Sequence, residues 1–406
     1  MQIRPILAAL RKHRLAAILI ALEIALACAV LCNAVFMIAN RLSAMNINSG
    51  VDETALGAMV VTGFDPGKAH DLNARMMAGL GAIPGVQSVH VISSVPFGPQ
   101  AGVAGITLDQ TGKHVAAVVE FYNGSLGTPE ALGLKLVSGQ LPTADDYQAL
   151  PGQDYFPASS RVLITRALAK KLWPGQSSLG KTFWGAKSQF RVIGVVANLS
   201  VSQYTENGEQ GAEWCVFVPT QPGGQLAGTY LIRGAPQGLS QAMVKARAAV
   251  AKITPEVVLD HYGSHTVSTL RANFFKADRG MAGLLAGVIV ALLGVTAFGI
   301  VGLASFWVAQ RSKQIGIRRA LGATRGDILR YFQTENFLIV TFGIALGMLL
   351  AYALNLLLMA HYELPRLPLY YLPIGAVVLW TLGQLAVLGP ALRAAAVPPV
   401  VATRSV

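Results

Sequence analysis

Residues 175–182 read Gly-Gln-Ser-Ser-Leu-Gly-Lys-Thr and fit, at every position, the G-x-x-x-x-G-K-[ST] pattern of a nucleotide-phosphate loop. That chemistry needs a strand leading into the glycines and a helix starting at the lysine, so that backbone N–H groups and the helix dipole face the anion. Here the flanks are reversed. Ala167, Leu168, Leu172 and the Lys170-Lys171 pair predict a helix stopped by Pro174-Gly175, whereas "KTFWGAKSQFRVIGVV" alternates like strands from Lys181 onward. The octapeptide therefore reads as a surface turn. His261 and His265, four apart, could in principle share a metal, but they follow a strand-like run and lack an HExxH pattern, so they read as exposed histidines. Asp145-Asp146 falls in a turn-like "LPTADDYQ", and no serine sits in a G-x-S-x-G elbow. No catalytic residue, metal ligand or bound cofactor is expected on this chain.

The elements that carry these residues explain why the chemistry is sparse. Of 406 residues, 53% are hydrophobic and only 13% charged, about half the charged fraction usual for a soluble protein. The apolar excess lies in four stretches, Leu15–Ala39, Met281–Ala309, Phe337–Ala360 and about Leu372–Leu392, each long enough to cross a ~30 Å hydrocarbon core as a helix. Glu23 and the missing cleavage site make the first an anchor, not a leader peptide. Cys28 and Cys32 lie inside it and Cys215 stands alone in the polar block, so a disulfide within that block is excluded and buried thiols are expected.

Basic residues set the orientation. Arg4, Arg11, Lys12 and Arg14 precede span one; Arg311, Lys313, Arg318, Arg319, Arg325 and Arg330 separate spans two and three; Arg393 and Arg404 follow span four. Both termini and the 311–336 loop are thus expected in the cytoplasm, and the polar block Arg41–Gly280 outside. That block carries 19 Lys and Arg against 16 Asp and Glu, so most of the net +12 charge faces the inner leaflet. Lipid phosphates and a cytosolic partner account for it better than nucleic acid does. The segment "MQIRPILAALRKHR" predicts an interfacial helix.

Within the block, two stretches repeat the order strand, helix, strand: 57–63, 68–85 and 86–92, then 228–234, 239–253 and 255–261. They predict one α/β lobe (50–104 with 223–275) interrupted by a strand-rich lobe at 105–222. The expected fold class is an α-helical membrane protein, four transmembrane helices with a large two-lobed α/β and β domain between helices one and two. The regions are an interfacial helix with span one (1–40), the outer domain (41–280) and a permease region (281–406).

The loop after span two reads "QRSKQIGIRRALGATRGDILRYFQTENF". Ile315, Ile317, Ala320 and Leu321, then Ile328, Leu329 and Phe332, form apolar patches at helical spacing, with Gly322 placed to bend or cap and Asp327 to support the second helix start. Such a helix can lie on lipid or dock into a cytosolic protein. Glu23 reads as an acid that snorkels inward or pairs with a neighbouring helix. Gly283, Gly287 and Gly294 of span two and Gly343 and Gly347 of span three permit close helix packing, within the bundle or between chains.

Ile315-Gly316-Ile317-Arg318-Arg319-Ala320-Leu321-Gly322-Ala323-Thr324 strongly resembles the E-I-G-I-R-R-A-L-G-A-T signature of the MacB/FtsX family of ABC-transporter permeases, with Glu335 at the family's acidic position further on. "LGLKLVSGQLP" (132–142), "RVLITRALAKKLWPGQSSLGKTF" (161–183) and "FRVIGVVANL" (190–199) are similar to MacB-type periplasmic domains, in the same order. Gln314 departs from the family's glutamate, which weakens any charge-based contact there. The resemblance implies a bacterial inner-membrane permease whose partner surface is Gln314–Thr324 with Glu335. It also implies a separate cytosolic ATP-binding subunit holding ATP and Mg, a second permease chain in a homo- or heterodimer, and room for a periplasmic adaptor. Its implied task is to convert ATP-driven closure into movement of the periplasmic domain, for export of a peptide, antibiotic or lipid-linked molecule. The alternative is an FtsX-like regulator that activates a cell-envelope hydrolase without transport. Lys181→Ala is expected to leave ATP hydrolysis by a reconstituted complex near wild type, and the purified chain alone to hydrolyse none. A loss as deep as that of a Walker-lysine substitution in the ATPase would reinstate the nucleotide-binding reading.

Overall fold

Each apolar stretch becomes one unbroken helix in the computed structural model, which describes residues 14–150, 154–203, 211–362 and 366–396. The segment expected as an interfacial helix lies almost wholly outside the described residues, as does Arg404. The span helices are Arg14–Met45, Lys276–Gln310, Arg325–Tyr362 and Tyr371–Ala396, and all four are long and apolar enough to cross a membrane. They outrun their apolar cores at one or both ends, and Gly280 and Gly326 lie within the extensions without ending the helix. The third absorbs the second half of the expected cytoplasmic loop, since nothing between Arg325 and Phe337 breaks a helix. Contacts divide the chain into a membrane unit, Met1–Met45 with Asp278–Val406, and a domain, Asn46–Ala277.

In the membrane unit, small residues let spans one and three approach. A Cβ at Gly343 would come within 2.8 Å of the Ala21 carbonyl, and one at Gly347 within 2.5 Å of the Cys28 Cβ. Cys28 and Cys32 are buried among Ala21, Ala27 and Ala29 and act there as small apolar residues. Amide side chains then bridge helices: Asn33 donates to the Ala351 carbonyl at 3.0 Å, and Asn336 to that of Gly383 at 2.9 Å. Span two differs. A Cβ at Gly283, Gly287, Gly294 or Gly302 would meet nothing within 4 Å.

In chain order the domain's strands begin with β1 (Leu56–Thr62), β2 (Val86–Val91), β3 (Gly102–Thr107), β4 (Ala117–Gly124), β5 (Leu136–Gly139) and β6 (Ser159–Thr165). β7 (Thr182–Gly185), β8 (Ser188–Val196), β9 (Cys215–Pro219), β10 (Thr229–Gly234) and β11 (Val258–Leu259) follow. The two strand-helix-strand repeats build one sheet of order β11-β1-β10-β2, every neighbouring pair antiparallel. Each unit is split: β10 separates β1 from β2. Helices α1 (Ala69–Gly81) and α2 (Leu239–Ile253) cover the sheet, with Leu72, Met76, Leu80, Met243, Ala246 and Val250 packed on Met59, Tyr230 and Ile232.

β3 to β9 form the inserted lobe, a seven-stranded sheet that curls until β7 pairs with β8 and closes a ring, leaving β5 outside it on the remaining half of β8. Its interior is aromatic, with Phe121, Phe156, Phe183 and Phe190 in mutual contact. The octapeptide lies in this lobe. The short helix Arg166–Leu172 precedes it, Gly175 and Gly180 take φ of 72° and 76°, and β7 begins at Thr182. This order, helix before and strand after, is the opposite of a phosphate loop. Lys181 spends its charge on the Trp173 ring, 5.5 Å away, and on the Gln176 side chain.

The chain enters and leaves the domain through one knot of contacts. Arg271, on α3 (Val267–Phe274), pairs with Glu53, donates to the Ile47 carbonyl at 2.6 Å and lies 5.1 Å over the Phe97 ring. Phe97 holds a left-handed φ of 61°, a conformation unfavourable to a bulky side chain. Its rings of contact, Phe274 at 5.4 Å and Phe275 at 5.7 Å, keep it there.

Glu120 on β4 is fully buried, and its carboxylate accepts the Ser202 N–H at 2.6 Å. Burial pushes its pKa above the ordinary carboxylate range, against the pull of that N–H. Between the unfolded value, about 4.3, and the raised folded value, the folded chain keeps a proton that the unfolded chain has lost. This contribution to stability is complete at low pH and vanishes as pH rises through the folded pKa. Glu120→Gln is therefore expected to raise the domain's thermal midpoint relative to wild type at pH 8 and to lose that advantage toward pH 5. The shift scales as roughly 2–4 °C per kcal/mol for a domain of this size, and the fluorescence of Trp173, Trp184 and Trp214 reports it. An advantage independent of pH would refute the assignment.

Candidate coupling site

Arg311 to Thr324 joins span two to span three, and its sequence alone dictates a capped helix between two turns. The loop helix runs Ser312–Ala320. It ends where Gly322 takes a φ of 100°, the Gly322 N–H reaches the Arg319 carbonyl and the Ala323 N–H reaches that of Arg318. This pair of bonds is a Schellman cap, and it requires a residue free to adopt positive φ. Thr324 then caps the next helix: its hydroxyl accepts the Asp327 N–H at 3.1 Å, while Asp327 Oδ2 accepts the Thr324 N–H at 3.0 Å. Asp327 thus supports the helix start, as its position suggested.

The loop helix has two faces. Ile315 and Ile317 belong to one apolar patch in the sequence, but two residues at 100° each turn them to opposite sides. Arg311, Ile315 and Arg319, at i, i+4 and i+8, point inward. Ile315 packs with Ile328, Phe332, Ala391 and Ala394, and Arg319 donates to the Ala395 carbonyl at 3.1 Å. Gln314, Ile317, Arg318 and Leu321 point outward, Ile317 being 48% and Leu321 84% exposed. Ala320, Gly322 and Thr324 are exposed beside them, Ala323 is half-buried and Gly316 buried. Arg318 lies 4.9 Å over the Tyr331 ring, which steadies it at the edge of the outward face.

Glu335 sits elsewhere. It is 2% exposed, inside the bundle, and both its oxygens receive the Arg311 guanidinium at 2.9 and 3.0 Å. Of the twelve residues read as one partner surface, Ile315, Gly316, Arg319 and Glu335 therefore face inward. Arg311 carries no local pattern that marks it as their companion; only the fold brings it to Glu335, 24 positions away. Glu23 is half-buried with its carboxylate against Gly299 of span two, where an added Cβ would lie 2.7 Å from both oxygens. In the domain, His265 meets the Arg247 guanidinium at 3.0 Å, a neighbour that repels a metal cation. Desolvation and that charge hold the His265 pKa low. Asp146 caps with Thr143 and pairs with Arg161 at 3.0 Å, a structural role.

Residues 286–399, which contain this loop, match the family model described as FtsX-like permease C-terminal. The chain carries an FtsX-like permease domain. Among similar curated proteins, the macrolide export ATP-binding/permease protein MacB of Shewanella sp. (strain ANA-3) is 28% identical over 55% of this chain and 33% of its own length. The uncharacterized ABC transporter permease YknZ of Bacillus subtilis (strain 168) is 25% identical over 67% of this chain and 66% of its own. The chain thus spans about a third of the length of the MacB relatives it matches. The crystal structure of the periplasmic region of MacB from Actinobacillus actinomycetemcomitans aligns at 17% identity over 56% of this chain and 96% of that region, with a TM-score of 0.35.

The caps of the FtsX-like domain's loop give a direct test. Gly322→Ala strains the backbone by roughly 1–2 kcal/mol, and Thr324→Ala removes a cap worth about 1 kcal/mol. Amide exchange over 312–328 should accelerate about five-fold or more in each variant, with exchange in the domain unchanged. Unaltered exchange would show that the caps do not hold the loop helix.

Proposed function

We propose that this chain is a permease subunit in the bacterial inner membrane that couples ATP hydrolysis by a separate cytosolic subunit to movement of its own domain. The observation that carries the reading is the outward face of the loop helix. Leu321 and Ile317 are exposed beside Gln314, Arg318 and Arg325, on a helix capped at its C-terminal end and pinned from behind. An apolar pair that exposed, framed by charges, is a small helix-in-groove ligand. The similarity to proteins whose names join "ATP-binding" with "permease" supports an ABC ATP-binding subunit as the groove's owner, with ATP and Mg bound on that subunit. The basic residues around the loop support its placement in the cytoplasm, with the domain outside.

The open glycines of span two support a second permease chain. Gly283, Gly287 and Gly294 let another helix approach closely, and a Cβ added at any of them would meet nothing within 4 Å among the described residues. The word "export" in the MacB names supports export as the task. The cargo in this proposal is a peptide, an antibiotic or a lipid-linked molecule, with a periplasmic adaptor as a further partner.

The docking claim is tested on the chain as isolated from its own membranes. Leu321→Glu and Arg318→Glu should each cut the ATP-binding subunit recovered with the tagged chain by about ten-fold, the equivalent of ~1.4 kcal/mol, while membrane insertion is unchanged. A helix that serves lipid instead would keep the subunit in detergent and show a defect that varies with anionic lipid content. Normal recovery and normal coupled hydrolysis in both variants would overturn the proposal.

A further inference from the structure

Arg311 occupies a singular place in the chain. It is the residue between the span-two helix and the loop helix, with φ −102° and ψ 8°, at the N-cap position of the latter but with no side-chain cap bond to it. Its side chain turns inward, 10% exposed, and meets Glu335 of span three, 2% exposed, through two bonds of 2.9 and 3.0 Å from one nitrogen. The Trp307 ring lies 5.9 Å from the guanidinium carbon and shields it from one side. Beside the pair is a small cavity lined by Ile20 of span one, Trp307 of span two, Glu335 and Asn336 of span three and Val387 of span four. Asn336, the next residue after Glu335, donates to the Gly383 carbonyl of span four.

A chain of polar contacts thus runs from the root of the loop helix into span three and on to span four. At the other end of span two, Asp278 pairs with Arg41 of span one. Span two is tied by charge at both ends, to different helices, while Gly283, Gly287, Gly294 and Gly302 along it have open space beside them.

We propose that Arg311 and Glu335 are a positioning pair that makes the loop helix, the inner end of span two and span three move as one body. The inference rests on the docking of the loop helix described above. A push on the outward face then reaches the spans through a charge-assisted joint with fixed direction. Without the joint the helix would still be capped, still expose Leu321, and swing on the Arg311 backbone.

The test uses Glu335→Gln, which keeps the side-chain volume and removes the charge, and Arg311→Lys, which keeps the charge and loses the planar guanidinium. A spin label at Leu321→Cys, in the chain without any partner, should be measurably more mobile in both variants than in the otherwise wild-type chain. In the complex isolated with its ATP-binding subunit, kcat for hydrolysis should fall about ten-fold, with KM for ATP and the amount of subunit recovered unchanged. The charge-swapped Arg311→Glu/Glu335→Arg double variant should recover at least half of the loss. Should Glu335→Gln fail to accumulate, Arg311→Lys carries the same readouts. Wild-type kcat in both variants, or loss of the subunit in step with kcat, would overturn the proposal, because the pair would then be purely structural or part of the docking face. If the docking reading itself fails, Leu321→Glu will retain the subunit. Label mobility still decides whether the pair holds the helix, and unchanged mobility overturns it.

Discussion

Hydrocarbon offers no hydrogen bonds, so every polar group taken into a span must find its partner in the protein. That constraint organises the membrane unit. Asn33, Asn336 and Trp380 each spend a donor on a neighbouring helix, on the Ala351 and Gly383 carbonyls and the Thr341 hydroxyl. The Arg311–Glu335 pair is the most demanding case, because removing one partner of a buried ion pair costs about 3–5 kcal/mol. Each such bond fixes both a depth and a rotation for the helices it joins. Small residues at Gly343, Gly347, Gly375 and Gly383 then allow the approach that these bonds require.

The span pattern was legible because twenty apolar residues leave few alternatives. So was the turn at Gly322, where a glycine between two apolar runs has a short menu of conformations. The split of the loop helix into an inner and an outer face was only half legible. Apolar content marks Ile315, Ile317 and Leu321 alike, and which of them is covered depends on where Ile328, Phe332 and Ala394 arrive from elsewhere in the chain. Glu335 illustrates the same limit more sharply. An acid in a loop near a basic cluster reads as a surface contact until the third span helix is seen to begin at Arg325, which carries Glu335 ten residues, about 15 Å, along the helix.

In the domain, the strand-helix-strand repeat was visible from alternation and length, whereas the antiparallel interleaving of its strands was not. Strand order depends on long-range pairing such as Met59 with Tyr230 and Ile232 with Val89. Closure of the inserted lobe depends on two contacts of β7, with β3 at Ile106 and Thr107 and with β8 at Phe190. Those residues are ordinary in type, and no local signal distinguishes them.

The Arg271 knot has a consequence for how such a chain can be assembled over evolutionary time. One guanidinium holds the segment arriving at Ile47 and Glu53 beside the helix that departs at Phe274, so the two ends of the domain are neighbours within the domain itself. A unit whose ends meet can be placed in a loop between two helices without forcing those helices apart. The strand-rich lobe repeats the arrangement one level down: the Ile92 N–H bonds to the Thr229 carbonyl at 3.1 Å, joining the residue where that lobe departs to the residue where the chain returns. The molecule is nested, an insertion within an insertion. Each layer closes on itself at its own neck, so its length can change beyond that neck while the residues that form the neck stay the same.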